Sequence, residues 1–226
     1  MAERLSPRDR PRTGYYKQLH NLTTDILYKT KTEKRRKPPE DIFYEVERII
    51  SRRVINRTNK YLIKWKNYSL FNCSWEDEED LTPDLIRTYD RPPVNTERLH
   101  ANLDTLLQAI VVKLKSKARP PSSVSFHHDC YRHCFYGKGR LSQDGKSVFL
   151  DRHDFGDFNY FTGWDHCLDT NGDGVIIKYP IKIRSLLSWS PKVSVIQNRI
   201  LTPAPRMPQE KLLVDFIRQP FSVLST

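Results

Sequence analysis

Three aromatic residues, Tyr44, Trp65 and Tyr68, stand in three different local segments of the stretch from Phe43 to Tyr89. The face of an aromatic ring attracts a cation. A methylated ammonium gives up less hydration on entering an aromatic enclosure than an unmethylated one does. Trp65-Lys66-Asn67-Tyr68 puts two rings at a strand end and in the loop that follows. Convergence of these two with Tyr44 would make an electron-rich box for a quaternary ammonium ion; the alternative is three ordinary core aromatics. A second group is built from metal-ligating residue types. His127, His128, Cys130, His133 and Cys134 crowd one segment, and His166-Cys167 follows later in the chain. Cys130, His133 and Cys134 with His166 or Cys167 would supply tetrahedral ligands for a structural zinc ion. No two cysteines form a CxxC pair, so scattered surface histidines and half-buried thiols are the competing description.

The elements that must position the aromatics are short. Tyr44 to Ile50 and Tyr61 to Trp65 have strand patterns flanking a turn at Asn56-Arg57-Thr58-Asn59. Asn tolerates left-handed backbone, so a hairpin forms there without glycine. A third strand centres on Cys73-Ser74-Trp75-Glu76, and Thr82 or Pro83 opens a helix through Asp84, Leu85, Ile86 and Tyr89. Thr suits the N-cap and Pro the first turn.

On these residues the stretch resembles a chromodomain, the methyl-lysine reader of heterochromatin-protein and Polycomb-type proteins. The resemblance is carried by Tyr44-Glu45-Val46-Glu47-Arg48-Ile49, by Tyr61-Leu62-Ile63-Lys64-Trp65-Lys66-Asn67-Tyr68, by Ser74-Trp75-Glu76 and by Pro83-Asp84-Leu85-Ile86. It implies a three-stranded antiparallel sheet packed by a C-terminal helix, with Tyr44, Trp65 and Tyr68 as the cage and Trp75 as a buried core residue. It also implies a peptide groove. The segment before Tyr44, including Phe43, and the segment around Glu79 and Asp80 would flank an extended histone tail by strand addition. Asn72 would line that groove. The family usually has Gly at Asn67, often Pro at Asp77 and commonly an acidic residue at Asn72, and Leu81 to Pro83 is one residue shorter than in heterochromatin-type members. These departures leave the cage positions in place but do not say which histone mark is read.

A length of 226 residues allows one or two domains. The formal net charge of +11 favours anionic partners, nucleic acid first. Four cysteines (Cys73, Cys130, Cys134 and Cys167) are too few for a disulfide scaffold of this length and fit reduced thiols in a nuclear or cytosolic setting. No apolar run is long enough for a membrane helix, and the N-terminus lacks the apolar core of a secretory signal.

Residues 1–40 form a basic lead-in, expected to be largely disordered. Lys34-Arg35-Arg36-Lys37 before two prolines is expected to act as a nuclear-import signal or a phosphate-contacting arm. The chromodomain-like unit occupies 41–92. Residues 95–118 carry Leu99, Leu103, Leu106, Leu107, Ile110, Val111 and Leu114 at three- and four-residue steps. That is one apolar helix face, serving either its own domain's core or self-association. Residues 122–226 read as a mainly β domain of unrecognised fold ending in a helix over Glu210 to Phe221. Its strands are expected at Val124–Phe126, Ser147–Leu150, Val175–Tyr179 and Val193–Ile196, and its turns at Asp144-Gly145 and Asn171-Gly172. Asp169 to Gly174 imitates a calcium loop, but Pro180 stands where the bidentate Glu belongs. Pro191-Lys192-Val193-Ser194-Val195 resembles peptides that bind chromoshadow dimers, and an ordinary strand explains it equally well. No catalytic signature appears.

The sequence therefore predicts an α+β, non-enzymatic, nuclear reader and adaptor acting in heterochromatin and transcription regulation. Its expected partners are a methylated histone tail, DNA or RNA through the basic arm, and a chromatin protein or a second copy through the C-terminal half. It has no membrane association, and no cofactor unless the zinc set forms. The alternatives are a nucleic-acid-binding protein whose chromodomain-like fold lacks methyl-lysine recognition, and an enzyme built on a zinc site in the C-terminal half.

Overall fold

The computed structural model describes residues 44–116, 119–156, 160, 163–170, 172–197 and 200–222. The chain divides into two units, Met1–Tyr44 and Glu45–Thr226, and of the first only Tyr44 is described. The basic arm Lys34 to Lys37 and Phe43 lie outside the described residues.

In the larger unit, β1 (Val46–Ile55) and β2 (Thr58–Trp65) pair antiparallel down to Ile55 opposite Thr58. The two residues between them, Asn56 and Arg57, both have positive φ, 51° and 66°. This is the two-residue reversal whose twist matches that of the strands. β3 (Ser74–Asp77) adds to β2, giving the order β1-β2-β3. Helix α1 (Pro83–Arg87) follows, with Thr82 at its N-cap position and Pro83 at its first turn. Ile49, Tyr61, Ile63 and Leu81 form the core of this first lobe, with Trp65, Leu85, Ile86 and Tyr89 packed against them. The expected sheet and helix are therefore present.

Helix α2 (Thr96–Lys115) is capped by Asn95, whose side chain accepts from the N–H groups of Glu97 and Arg98. Its apolar face enters the second lobe. Leu103, Leu106, Leu107, Ile110 and Leu114 are buried together with Phe126, Leu150, Phe155, Ile181, Ile183, Leu212 and Val214. The face thus serves a core within the same chain. A sheet in the order β4-β11-β8-β6-β5 provides the other wall of that core, and β7 also pairs with β8. Its strands are β4 (Ser122–Ser125), β5 (Arg140–Leu141), β6 (Val148–Leu150), β7 (His166–Leu168), β8 (Asp173–Trp189) and β11 (Pro208–Ser222). β9 (Ser194–Gln197) and β10 (Ile200–Pro203) form a separate two-stranded pair. Helix α3 (His128–Phe135) follows β4.

The tail departs from expectation. Residues 210–221 belong to strand β11, not to a helix. Leu212, Leu213, Phe216 and Ile217 satisfy a helical step, but Leu212, Val214 and Phe216 also alternate with less buried neighbours. Pairing along β8 from Pro208 opposite Trp189 to Ser222 opposite Asp173 decides between the two patterns.

The two lobes share a buried boundary. Along β1, Arg48, Ile49 and Ile50 are buried in succession, and along β2 so are Tyr61, Leu62 and Ile63. A sheet with one solvated face would alternate buried and exposed residues, so both faces are covered here. Ile49, Tyr61 and Ile63 face the first lobe's own core. On the other side Arg48 reaches the second lobe. Its Nη1 donates to Asp129 Oδ1 (3.3 Å) and Glu210 Oε2 (2.9 Å), and its Nη2 donates to Glu210 Oε1 (2.5 Å). Arg132 of α3 reaches back, donating to the carbonyls of Ile49 (2.6 Å), Ile50 (3.0 Å) and Tyr89 (2.8 Å).

Removing one member of a buried ion pair strands the other charge, at a cost of about 3–5 kcal/mol. Arg48→Ala should lose about that much in urea unfolding of the whole chain. Arg48→Met combined with Glu210→Gln, which leaves no stranded charge at Glu210 and keeps an acceptor for His128 N–H, should recover most of the loss.

Candidate functional site

Two of the expected cage residues, Trp65 and Tyr68, stand at the end of β2 and in the turn after it. Trp65 ends β2, half-buried, and its indole Nε1 donates to Ser74 Oγ on β3 at 3.0 Å. That bond fixes the ring's roll about the strand. Lys66 N–H donates to the Glu45 carbonyl at 3.0 Å, extending the β1–β2 ladder by one step. Asn67 then turns the chain with φ of 65°, and Tyr68 N–H donates back to Trp65 carbonyl at 3.3 Å. This left-handed residue presents Tyr68 as an exposed ring at 37%. Tyr44 is half-buried and directly precedes Glu45 in the chain. Around the rim, Lys64 pairs with Glu47 (2.6 Å) and Lys66 with Glu45 (2.7 Å).

The expected groove residues take different shapes. Glu79 and Asp80 are exposed but lie in a 3-10 turn, Glu78–Asp80, and not in an extended strand. Glu78 is drawn inward, accepting from Asn59 Nδ2 (3.0 Å) and Tyr61 OH (3.5 Å). Asn72 is half-buried at the end of another such turn, with its side-chain oxygen receiving Ser69 Oγ at 2.6 Å. Trp75, expected in the core, is half-buried, with the Arg53 guanidinium 3.7 Å over its ring. Its place opposite Leu62 puts it across the sheet from a residue that the first lobe's core does not use.

The expected zinc set is not gathered at one point. Cys130 and Cys134 lie in the apolar core of the second lobe. His133, on the same helix, is exposed, with Nδ1 2.9 Å from the Pro92 carbonyl oxygen. His166 contacts Asp165, and Cys167 is half-buried on β7. Adjacent residues of a helix do not face each other, so His133 turns outward where its neighbour Cys134 turns to the core. Among the described residues, the ligand atoms that do converge, within 4.8 Å, belong to His127, Asp129 and Cys130. Their surroundings are already cationic. Asp129 receives both Arg48 and Arg98, and His127 Nδ1 lies 3.2 Å from Asn102 Nδ2. Two guanidiniums on the one carboxylate would repel a divalent ion entering there. Burial pushes the Cys130 and Cys134 thiols up to about 12, which leaves them protonated and poorly nucleophilic at neutral pH.

Residues 44–91 match the Chromo (CHRromatin Organisation MOdifier) domain. The match covers that segment only, and it identifies the first lobe as a chromodomain. No solved structure matches the chain. The chromodomain family is a non-enzymatic, chromatin-associated reader whose members generally bind methylated histone tails. Nothing in a chromodomain resemblance points to Asp129, Arg132 or Glu210, the residues that seat this one on the second lobe. Arg48 was visible as a matching residue, but a single Arg before two isoleucines does not announce an ion pair to a residue as distant as Glu210.

Two outcomes follow from this geometry. Left-handed backbone costs a residue with a Cβ about 1–2 kcal/mol, most where the side chain is branched. Asn67→Val should therefore lower stability by about that amount, whereas Asn67→Gly should not, as read by urea unfolding. The second concerns pH. Burial, first, and nearby Arg48 hold the His127 imidazole below its ordinary 6.5, and burial does the same to His128. A group with a folded-state value below its unfolded one gives stability that is lost as pH falls from the unfolded value. For Glu210, burial works against the carboxylate, but the Arg48 hydrogen bond and charge and the His128 N–H outweigh it, so its value sits below the ordinary 4.5. Unfolding free energy should therefore fall in two stages on acidification, the first below about pH 6.5 from the histidines and the second below about pH 4.5 from Glu210. His128→Gln should shrink the first stage and leave the second.

Proposed function

We propose that this protein is a nuclear chromatin reader and adaptor that captures a methylated lysine of a histone tail with Tyr44, Trp65 and Tyr68, and recruits a partner through its C-terminal half. The Chromo match over residues 44–91 carries the reading. It is supported by the anchoring of the Trp65 indole on Ser74 and by the exposure of Tyr68 beyond the turn at Asn67. A ring held in one orientation loses little entropy when a cation docks on it, so more of the cation–π attraction appears as affinity.

The acidic residues Glu45, Glu47, Glu79 and Asp80 are exposed on this lobe and suit a basic tail. They act mainly on encounter rate and register. The basic Lys34 to Lys37 arm would add sequence-independent contact to nucleosomal DNA, weakening with salt. The chemistry is recognition, and the buried, protonated Cys130 and Cys134 offer no activated nucleophile.

Calorimetric titration of the full chain with histone-tail peptides, unmethylated and trimethylated at single lysines, tests the reading. One methylated peptide should bind at least about ten-fold tighter than its unmethylated form, and Trp65→Ala should remove that difference, consistent with roughly 1–2 kcal/mol for a desolvated cation–π contact. Equal affinity for both forms, or binding that survives Trp65→Ala, would overturn it.

A further inference from the structure

β11 has neighbours of unequal length. On one side β8 pairs with it as far as Ser222, while on the other β4 covers only Lys211 to Val214. From Phe216 onward, among the described residues, no strand pairs with that second edge. A strand with one neighbour directs alternate N–H and C=O groups away from it, a template for one more strand. A groove of about 710 Å³ opens along this edge. Phe216 and Pro220 of β11, with Val175 of β8, give it an apolar floor, and Ile217, the next residue along the strand and 66% exposed, lines it from the strand's other face.

Its walls are cationic. Lys113, Arg119 and Arg218 line it. Lys113 is already matched by Asp215 at 3.1 Å and by the Pro120 carbonyl at 2.7 Å. Arg218 donates to the Ser116 carbonyl, which holds the end of α2 against the strand, and no carboxylate among the described residues pairs with it. Arg119 is exposed and has no ion pair among the described residues. Among the described residues, two guanidiniums thus line the groove without an acidic partner, beside main chain that no strand pairs and an apolar trough.

We infer that the free edge of β11 from Phe216 to Gln219 is a docking groove for an extended acidic peptide, added as a strand. Each feature selects part of that ligand. The open edge supplies directional main-chain bonds that a folded surface or a phosphate chain cannot use. The period-two alternation of an added strand turns one set of its side chains to Phe216 and Val175 and the other outward. Arg119 and Arg218 prefer carboxylates, which a guanidinium binds with two parallel bonds. Pro220 has no N–H, so the added ladder ends there. The paired stretch is then four residues, about 13 Å at the rise of an extended chain. The groove gives a place to the partner recruitment proposed above and rests on that reading for its use; none of its lining residues belongs to residues 44–91.

The test is fluorescence anisotropy with the full chain and a labelled octapeptide alternating glutamate and valine. Binding should be saturable, should weaken with salt, and should fall at least about five-fold in Arg119→Glu. Ile217→Asp should weaken it similarly, and since both side chains are exposed, neither variant should lower the unfolding midpoint. Peptides alternating lysine and valine, or with proline at every second position, should not compete. Competition by either peptide at equal affinity, or unchanged binding in both variants, would overturn the assignment. So would displacement by a short polyuridylate tighter than the glutamate peptide itself, which would make the groove a nucleic-acid site. Titration of the same variants with the methylated histone peptide separates the two readings. Retained histone binding with lost acidic-peptide binding is the expected result, and loss of both together would deny the groove a role of its own.

Discussion

Arg48 carries a permanent charge into a buried place, and much of the arrangement follows from keeping it there. A guanidinium has five N–H donors in one plane and cannot lose its proton at accessible pH. Burying it is tolerable only where carboxylates meet it, and here Glu210 takes two of its donors while Asp129 takes a third contact. Asp129 is held in turn by Arg98, and Glu210 by the N–H of His128. The network therefore ties β1 to α2, α3 and β11. It stabilises little relative to an apolar boundary, but its geometric demands are strict.

Arg132 completes the seating from the opposite direction, with three hydrogen bonds to main-chain carbonyls and its guanidinium carbon 4.1 Å over the Tyr89 ring. Tyr89 also packs edge-on against Tyr61 at 5.6 Å. Main-chain carbonyls do not change with side-chain substitution, so this contact reads the path of β1 and the end of the chromodomain, not its residue types. Together the two arginines make the face of the sheet opposite Ile49 part of an interior. The chromodomain here is not a bead on a string. Tyr68 is left toward solvent, while the face of the sheet opposite Ile49 is spent on the second lobe.

Much of the first lobe was legible from sequence because its determinants are local. The turn at Asn56, the alternation around Tyr61 to Trp65 and the Thr82-Pro83 helix start each act within a few residues. The α2 face was legible for the same reason. The tail was not. Leu212, Leu213, Phe216 and Ile217 fit both periods, and only the long partner β8 chooses between them. The expected zinc ligands were not legible as a group, since Cys130 and Cys134 share a face that turns to the core while His133 turns outward. Conversely, the convergence of His127, Asp129 and Cys130 depends on how α3 starts and on two arginines from elsewhere in the chain, and no spacing rule encodes it.

By itself the sequence determined the chromodomain resemblance, the positions of Tyr44, Trp65 and Tyr68, and the existence of an amphipathic helix after it. These rest on short-range patterns, which survive without knowledge of the partner surface. Tertiary structure alone decided that β1 is buried on both faces, that the tail is a strand with a partly uncovered edge, and that buried charges from Arg48 to Glu210 fit one another. Those features are set by which distant segments meet. A residue's type states what it needs, a partner for a charge or cover for an apolar face, but not which part of the chain will supply it.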